Sequence, residues 1–267
     1  MGAGVSTLDC AAHTTREINS WLKTAARGVA QMRDTMQVDE GTTDAHLAQD
    51  EVPIPTSNEA DVVLLNPDSR HNLAVGIVTP LRVRIEGPVG YYCAGLCDGI
   101  DVRIRGGAGW GLAENLMGGR VWLRDSAGSS AGATMRGGEL FIGGDAGARC
   151  AVAMKGGVMV VGGDVGIMTG FMMQKGVLVV GGDAGEALGD SLYEGKIYVR
   201  GNIESLGSDA HIVEMSEDDA QMLIRVLECC EISSLSGAKP SDFKKVESAK
   251  RLYNFNTKEK EIWKSAL

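Results

Sequence analysis

The sequence has no basic cluster: its 26 Lys and Arg are scattered through 267 residues against 35 Asp and Glu, leaving a formal charge of −9. Nucleic acid and anionic membrane surfaces both demand clustered cations, so neither is the expected partner. Histidine is scarce, and His13, His46, His71 and His211 stand in no ligand or catalytic motif. Cys10, Cys93, Cys97, Cys150, Cys229 and Cys230 form no C-x-x-C pair. Free thiols in a reducing compartment are expected, rather than a zinc or cluster site. A secretory signal and an apolar run of membrane length are also missing, which points to the cytoplasm. Met1-Gly2-Ala3-Gly4-Val5-Ser6 fits the loose myristoylation pattern, which is short enough to arise by chance.

What the chain does have is glycine, 37 of them, and they are ordered. Gly144-Asp145-Ala146-Gly147, Gly163-Asp164-Val165-Gly166 and Gly182-Asp183-Ala184-Gly185 repeat one phrase every 19 residues, extending a column through Gly90, Gly109 and Gly128. A second column runs through Gly119, Gly138, Gly157, Gly176 and Gly195. Between them lie apolar columns: Val102, Val121, Leu140, Met159, Leu178 and Ile197, then Ile104, Leu123, Ile142, Val161, Val180 and Val199. A fixed short period marks a stacked repeat, and each copy has room for one strand and its turns but for no helix. The expected fold is an all-β solenoid core, a parallel β-helix of 19-residue coils stacked about 4.8 Å apart, with helical and extended segments at its N- and C-terminal ends.

Three regions follow. Residues 1–59 hold an N-terminal helix and an extended arm: Thr14-x-x-Glu17 looks like a capping box, Ile18, Trp21, Leu22, Ala25, Val29 and Met32 follow at helical spacing to about residue 34, and the acidic stretch beyond contains Pro53 and Pro55. Residues 60–210 form the solenoid, entered through apolar runs at Ala60–Leu65 and Leu73–Val78 that suggest strands; regular coils run from Val83 to Gly201, beyond which the phase slips. Residues 211–267 supply a helix begun by Ser216-x-x-Asp219, suited to covering the open coil end, then a charged tail with Leu252-Tyr253-Asn254-Phe255 and Trp263 as docking anchors.

Smaller columns refine the picture. Ala94, Ala113, Gly132, Ala151, Gly170 and Gly189 would let the backbone turn a corner, while Cys97, Leu116, Met135, Met154, Met173 and Leu192 fill the interior beside it. Asp145, Asp164 and Asp183 stack with Asn202; neighbouring carboxylates repel by roughly 1 kcal/mol even in water, so they belong at solvated turns accepting backbone N–H groups. A calcium solenoid would repeat every nine residues, which this chain does not.

Strand parity gives the sharpest inference. If the Val102 and Ile104 columns face inward, Arg103, Trp122, Phe141, Val160, Val179 and Tyr198 face outward, and an apolar stripe of that kind needs a cover. Gly143, Gly162 and Gly181 make a flat strip beside it for close approach. The cover is either the chain's own terminal segments or a partner. The expectation is that Trp122, Phe141, Val160, Val179 and Tyr198 lie in an interface between subunits. No catalytic, cofactor-binding or metal-binding residue is assigned.

Gly163-x-x-Gly166-x-x-x-Gly170 and Gly182-x-x-Gly185-x-x-x-Gly189 resemble the repeat phrase of the glutamate synthase C-terminal (GXGXG) domain family over about residues 60–210. The resemblance implies a right-handed parallel β-helix. His71-Asn72-Leu73-Ala74-Val75-Gly76, Gly90-Tyr91-Tyr92, Gly189-Asp190-Ser191-Leu192-Tyr193-Glu194, Ile197-Tyr198-Val199-Arg200-Gly201 and the terminal Leu252-Tyr253-Asn254-Phe255 look like the separate β-helix subunit of N-methylglutamate synthase type. It implies a hetero-oligomer in which this chain bridges a class II glutamine-amidotransferase-like subunit and another that carries FMN and an iron–sulfur cluster. The reaction would join methylamine to glutamate, or make glutamate from glutamine, with no cofactor on this chain. Asp125 stands where the phrase would place its leading glycine, and several coils end in Ala. The β-helix subunit of a formyltransferase/hydrolase or formylmethanofuran dehydrogenase complex shares such coils and is the alternative; an autonomous carbohydrate-active β-helix is a third reading.

Overall fold

The structure, a computed structural model, describes residues 5–37 and 60–249. The 38–59 arm, the opening Met1–Gly4 and the anchors Leu252 to Phe255 and Trp263 lie outside the described residues. Among the described residues a single sheet of 11 strands organises the fold. Nine strands pair in parallel in chain order: β1 (Ser6–Asp9), β2 (Val62–Leu65), β3 (Leu81–Glu86), β4 (Ile100–Ile104), β5 (Gly119–Leu123), β6 (Glu139–Ile142), β7 (Lys155–Val161), β8 (Lys175–Val180) and β9 (Lys196–Val199). Val83 pairs with Val102, Val102 with Val121, Val121 with Leu140, Leu140 with Met159, Met159 with Leu178 and Leu178 with Ile197. The 19-residue coil is therefore the hydrogen-bonding register itself, and the core is a parallel β-solenoid.

Each coil has three sides. Along the strands Ile100, Val102, Ile104, Leu140, Ile142, Met159 and Val161 are fully buried, as a period of two requires when one face lines the interior. The second side is a line of single bridges running from Val89 through Ala108, Ala127, Ala146, Val165 and Ala184 to Ile203. On the third side left-handed residues alternate with right-handed ones: Arg149, Ala151 and Ala153 have φ of 57°, 57° and 51°. The alternation sends successive N–H groups in opposite directions, Arg149 donating to Ile167 O at 2.9 Å and Ala151 to Ala131 O at 2.8 Å, so one coil bonds both neighbours. A left-handed residue bearing a Cβ costs roughly 1–2 kcal/mol, and these inter-coil bonds offset that cost. The small column does turn the corner, with φ between 56° and 71° at Ala94, Ala113, Gly132, Ala151, Gly170 and Gly189.

The two glycine columns serve different needs. Gly157 has φ 83° and belongs to the left-handed region. Gly166 does not, but a Cβ there would lie 2.7 Å from Ala148 N of the preceding coil. The Gly157 column permits a conformation and a close approach together, a Cβ there falling 2.6 Å from Gly138 O, while the Gly166 column permits coils to touch.

At the first end α1 (Thr15–Gln37) opens with the expected box, Thr14 N–H donating to Glu17 Oε2 at 2.7 Å, and buries Ile18, Leu22 and Ala26 in the solenoid core. Asn19 Nδ2 donates to Asn72 O at 2.7 Å, which holds the helix against the first coil. The run Leu73–Val78 is not a strand. Asn72, Ala74 and Gly76 take φ of 57°, 56° and 65°, so this segment is the third side of a coil, and its apolar residues Leu73, Ala74 and Ile77 fill the core from there.

The other end departs from expectation more deeply. Among the described residues no helix lies across the last strand. Instead β11 (Lys244–Ser248) pairs antiparallel with β9, Lys245 opposite Tyr198, and β10 (Ala210–Val213) pairs antiparallel with β11, Ile212 opposite Val246. The parallel ladder is closed by a reversal of strand direction. The helix that follows Ser216, α2 (Glu217–Cys229), goes to the flank of the solenoid.

Candidate interaction surface: the outer flank of the sheet

Outward strand positions do form a stripe, but the chain covers most of it itself. Phe141, Val160, Val179 and Tyr198 are buried in a second core with Leu223 of α2 and with Cys230, Ile232, Leu235 and Phe243 beyond it. The expectation that Phe141, Val160, Val179 and Tyr198 contact another chain is thus corrected: the C-terminal segment supplies the apolar partner, in cis. α2 starts over the last coil, where Asp219 meets Tyr198, and ends near the early ones, where Glu231 Oε2 pairs with Arg103 at 3.0 Å. The chain then returns along the glycine strip. A Cβ on Gly162 would fall 2.6 Å from Ile232 Cγ2, and one on Gly181 would fall 2.8 Å from Leu235 Cδ2. Ser234 Oγ donates to Gly162 O at 2.9 Å, and Arg200 donates to Ser234 O at 3.1 Å. The flat strip read from the sequence is the bed of this return leg.

Asp219 fastens the flank. Its carboxylate accepts from Lys196 Nζ at 2.7 Å, Lys245 Nζ at 2.6 Å, Tyr198 OH at 2.9 Å and Ser216 Oγ at 2.6 Å, while the residue is 2% exposed. Burial opposes the charge, yet hydrogen bonds from Lys196, Lys245 and Ser216 hold the carboxyl well below the usual carboxylate range. Burial likewise works against the Lys245 ammonium, and Asp219 with Glu247 outweighs it and moves the group upward. Tyr198 is pushed up by burial and by its bond to Asp219. Three elements that are distant in sequence, β9, α2 and β11, are tied at one carboxylate. The sequence signalled Asp219 only as the partner of Ser216 in a helix cap; its other three side-chain donors, Lys196, Tyr198 and Lys245, come from the tertiary fold.

Trp122 stands at the border of the covered zone, half-buried, with Arg103 Cζ 6.0 Å from its ring centre and its Nε1 buried without a hydrogen bond. Below it, over β3 to β5, the flank is no longer apolar. Arg82 pairs with Asp61 at 2.7 Å, Arg84 with Glu86 at 2.7 Å, Arg120 with Glu139, and Arg124 with Asp125 at 2.9 Å. Asp101, between these arginines, is pushed up by burial. This half of the flank is a grid of matched charges.

Other candidates resolve into structure. Asp145 Oδ1 accepts the Asp164 N–H at 2.8 Å, and Asp164 Oδ1 the Asp183 N–H at 2.7 Å, so the exposed carboxylates staple coil to coil. His71, Tyr91 and Trp110 form a ladder with ring centres 4.4 and 5.3 Å apart. Their faces stack on one another along the coils, with Tyr91 and Trp110 40% and 57% exposed. Cys93 and Cys150 are enclosed among apolar side chains, where burial pushes both thiols up, Cys150 to about 12. Among the described residues no three His, Cys, Asp or Glu are grouped as metal ligands, and no helix is long and apolar enough to cross a membrane.

No family model matches the chain. Over 43 residues it is 49% identical to Protein GlxC of Rhizobium meliloti (strain 1021), a match that covers 16% of this chain and 19% of that protein. The chain thus aligns with about a fifth of the relative's length.

Proposed function

We propose that this chain is a non-catalytic, spacing subunit of a glutamate-synthase-like complex, of the N-methylglutamate synthase type. The observation that carries the reading is the unbroken register from Val83 to Ile197, one strand per 19 residues, which makes a stiff rod with its interior filled by apolar side chains. The glycine phrase of the coils and the short likeness to Protein GlxC support the assignment. In this role the rod holds a glutamine-amidotransferase-like subunit and an FMN and iron–sulfur subunit at a fixed separation. The ion-paired flank over β3 to β5, with Trp122 at its margin, is the face offered to a neighbour, since its charges are already matched and its side chains are held in place.

Purification of the complex from its native source, followed by dissociation, tests the proposal. Flavin and iron–sulfur absorbance should travel with the other subunits, and the separated chain should be colourless and turn over nothing. Stoichiometric FMN on the separated chain overturns it, as does copurification with a formyl-transferring assembly, which would make the chain the β-helix component of that system.

A further inference from the structure

Four Tyr or Trp side chains among the described residues are at least 40% exposed, and three of them, Tyr91, Tyr92 and Trp110, stand together on two successive coils with the exposed Leu96 beside them. The repeat itself shows that the fold does not need them. One and two coils beyond Trp110 the same position is Ser129 and then Ala148, and beyond Tyr92 it is Gly111 and then Ser130. Ser130 has φ 61° against 59° at Tyr92, so a small side chain satisfies this backbone equally well. Large rings that neither fill a core nor shape a turn point to a contact, and Tyr and Trp are the usual anchors of one.

The patch is held in place. Tyr91 stacks between His71 and Trp110, and its N–H donates to His71 Nδ1 at 2.8 Å. Tyr92 N–H donates to Trp110 O at 2.8 Å, and Leu96 N–H donates to Glu114 O at 2.9 Å. Gly111 opens a notch among these side chains: a Cβ there would lie 2.7 Å from Tyr92 Cδ1 and 3.2 Å from Glu114 Oε2. The Tyr92 ring and the Glu114 carboxylate thus flank one point. Glu114 is half-buried and makes no ion pair or side-chain hydrogen bond among the described residues. Residues 91–98 and 110–117 contain no Lys or Arg, and Asp98 adds a second carboxylate to them. Aromatic rings beside an unmatched carboxylate are the chemistry that receives a guanidinium, through cation–π contact and a charged hydrogen bond.

We propose that this corner is a docking site for an arginine of a partner protein, its guanidinium set against Tyr92 and Trp110 and hydrogen-bonded to Glu114, with apolar neighbours of that arginine covering Leu96. The corner is separate from the ion-paired flank and does not depend on the role of that flank.

Titration of the full chain with the peptide acetyl-Leu-Arg-Leu-amide, followed by proton–nitrogen NMR, tests it. The Trp110 indole N–H and the amides of residues 91–96 and 110–114 should shift, and acetyl-Leu-Gln-Leu-amide should leave them in place. Glu114→Gln should weaken the response about two- to fivefold, the effect of losing one solvent-accessible charge pair. The double variant Tyr92→Ser, Trp110→Ser copies the residues of the following coils; it should keep the parent's denaturation midpoint and lose the response. Equal shifts with both peptides overturn the proposal, as does no shift with either. A large fall in the midpoint of the double variant overturns it too, because the rings then serve the fold. Shifts that arise on concentrating the chain without peptide, with sedimentation as a dimer, overturn it because the occupant is then a second copy.

Discussion

Asp219 of α2 and Lys245 of β11 meet carboxylate to ammonium at 2.6 Å, with 1% and 7% of their side chains exposed. Neither charge has water to fall back on. Removing Asp219 leaves Lys245 with Glu247 Oε1, at 2.6 Å, as its remaining carboxylate partner, so the ammonium is not left fully unpaired. Asp219→Asn is therefore expected to destabilise the chain by about 1.5–3 kcal/mol, the worth of a lost charged hydrogen bond. The loss should appear first in residues 217–248 as faster hydrogen exchange, ahead of the coils. Uniform loss of protection through β3 to β9 would show that flank and solenoid unfold as one unit.

The same pair sets a pH window. The Asp219 carboxyl is lowered in the folded chain, so its contribution is complete above the ordinary carboxylate value and is lost as pH falls through the folded one. Lys245 is raised, so its contribution is complete below the ordinary lysine value and is lost as pH rises through the folded one. Denaturant midpoints should be level in this respect from about pH 5 to pH 9. Asp219→Asn should shallow the acid limb of the profile. An acid limb identical to that of the parent chain would remove Asp219 from the account.

Gly162 is expected to resist any side chain. A Cβ would meet Ile232 Cγ2 at 2.6 Å, Ser234 Oγ at 2.8 Å and the Gly143 carbonyl oxygen at 2.5 Å, contacts on the return leg and on the neighbouring coil at once. Gly162→Ala should cost about 1–3 kcal/mol through overpacking, measured by chemical denaturation. Proteolysis within residues 230–240 should accelerate in parallel as the leg lifts.

Much of this was legible before any coordinate. The 19-residue period gave the solenoid because every coil repeats the same chemistry, and strand parity separated Val102 and Ile104 from Trp122 and Phe141 because side chains alternate on a strand. The glycine strip announced a close approach. What covered the stripe was not legible, since Leu223, Ile232 and Leu235 carry no mark of where they dock. The antiparallel closure by β10 and β11 was hidden for a related reason: Lys244-Lys245-Val246-Glu247 reads as polar, and it becomes a strand only because β9 offers an edge. Leu73–Val78 misled in the opposite sense. Its apolar residues point inward from left-handed turns, a geometry that hydrophobic pattern alone does not distinguish from a strand.

Cys150 reports on the coil interior. Burial pushes its thiol up to about 12, so the folded chain keeps a proton that the unfolded chain gives up from about pH 9. Its contribution is present below that value and declines as pH rises towards 12, because the unfolded state then binds fewer protons. In native conditions at pH 8 iodoacetamide should leave Cys150 unlabelled and should modify the partly exposed Cys229 much faster, as peptide mapping would show. Labelling of Cys150 at a rate matching Cys229 would mean that the coils open readily.

Phe141 distinguishes a cover made by the chain from one made by a partner. Its ring is 2% exposed, lies in the second core with Leu223 and Ile232, and has Arg120 Cζ 5.6 Å from its centre. Truncating a buried aromatic ring typically costs about 3–5 kcal/mol. If the flank is covered in cis, Phe141→Ala loses that amount in the isolated chain, loosens α2 and leaves the mass in solution unchanged. If a partner were the cover, the isolated chain would show little change and an assembly would fall apart instead. Met159→Ala, which opens the first core, is the companion measurement: it should weaken the coils themselves, with exchange rising in β6, β7 and β8, whereas Phe141→Ala should spare the inward-facing side of the same strands.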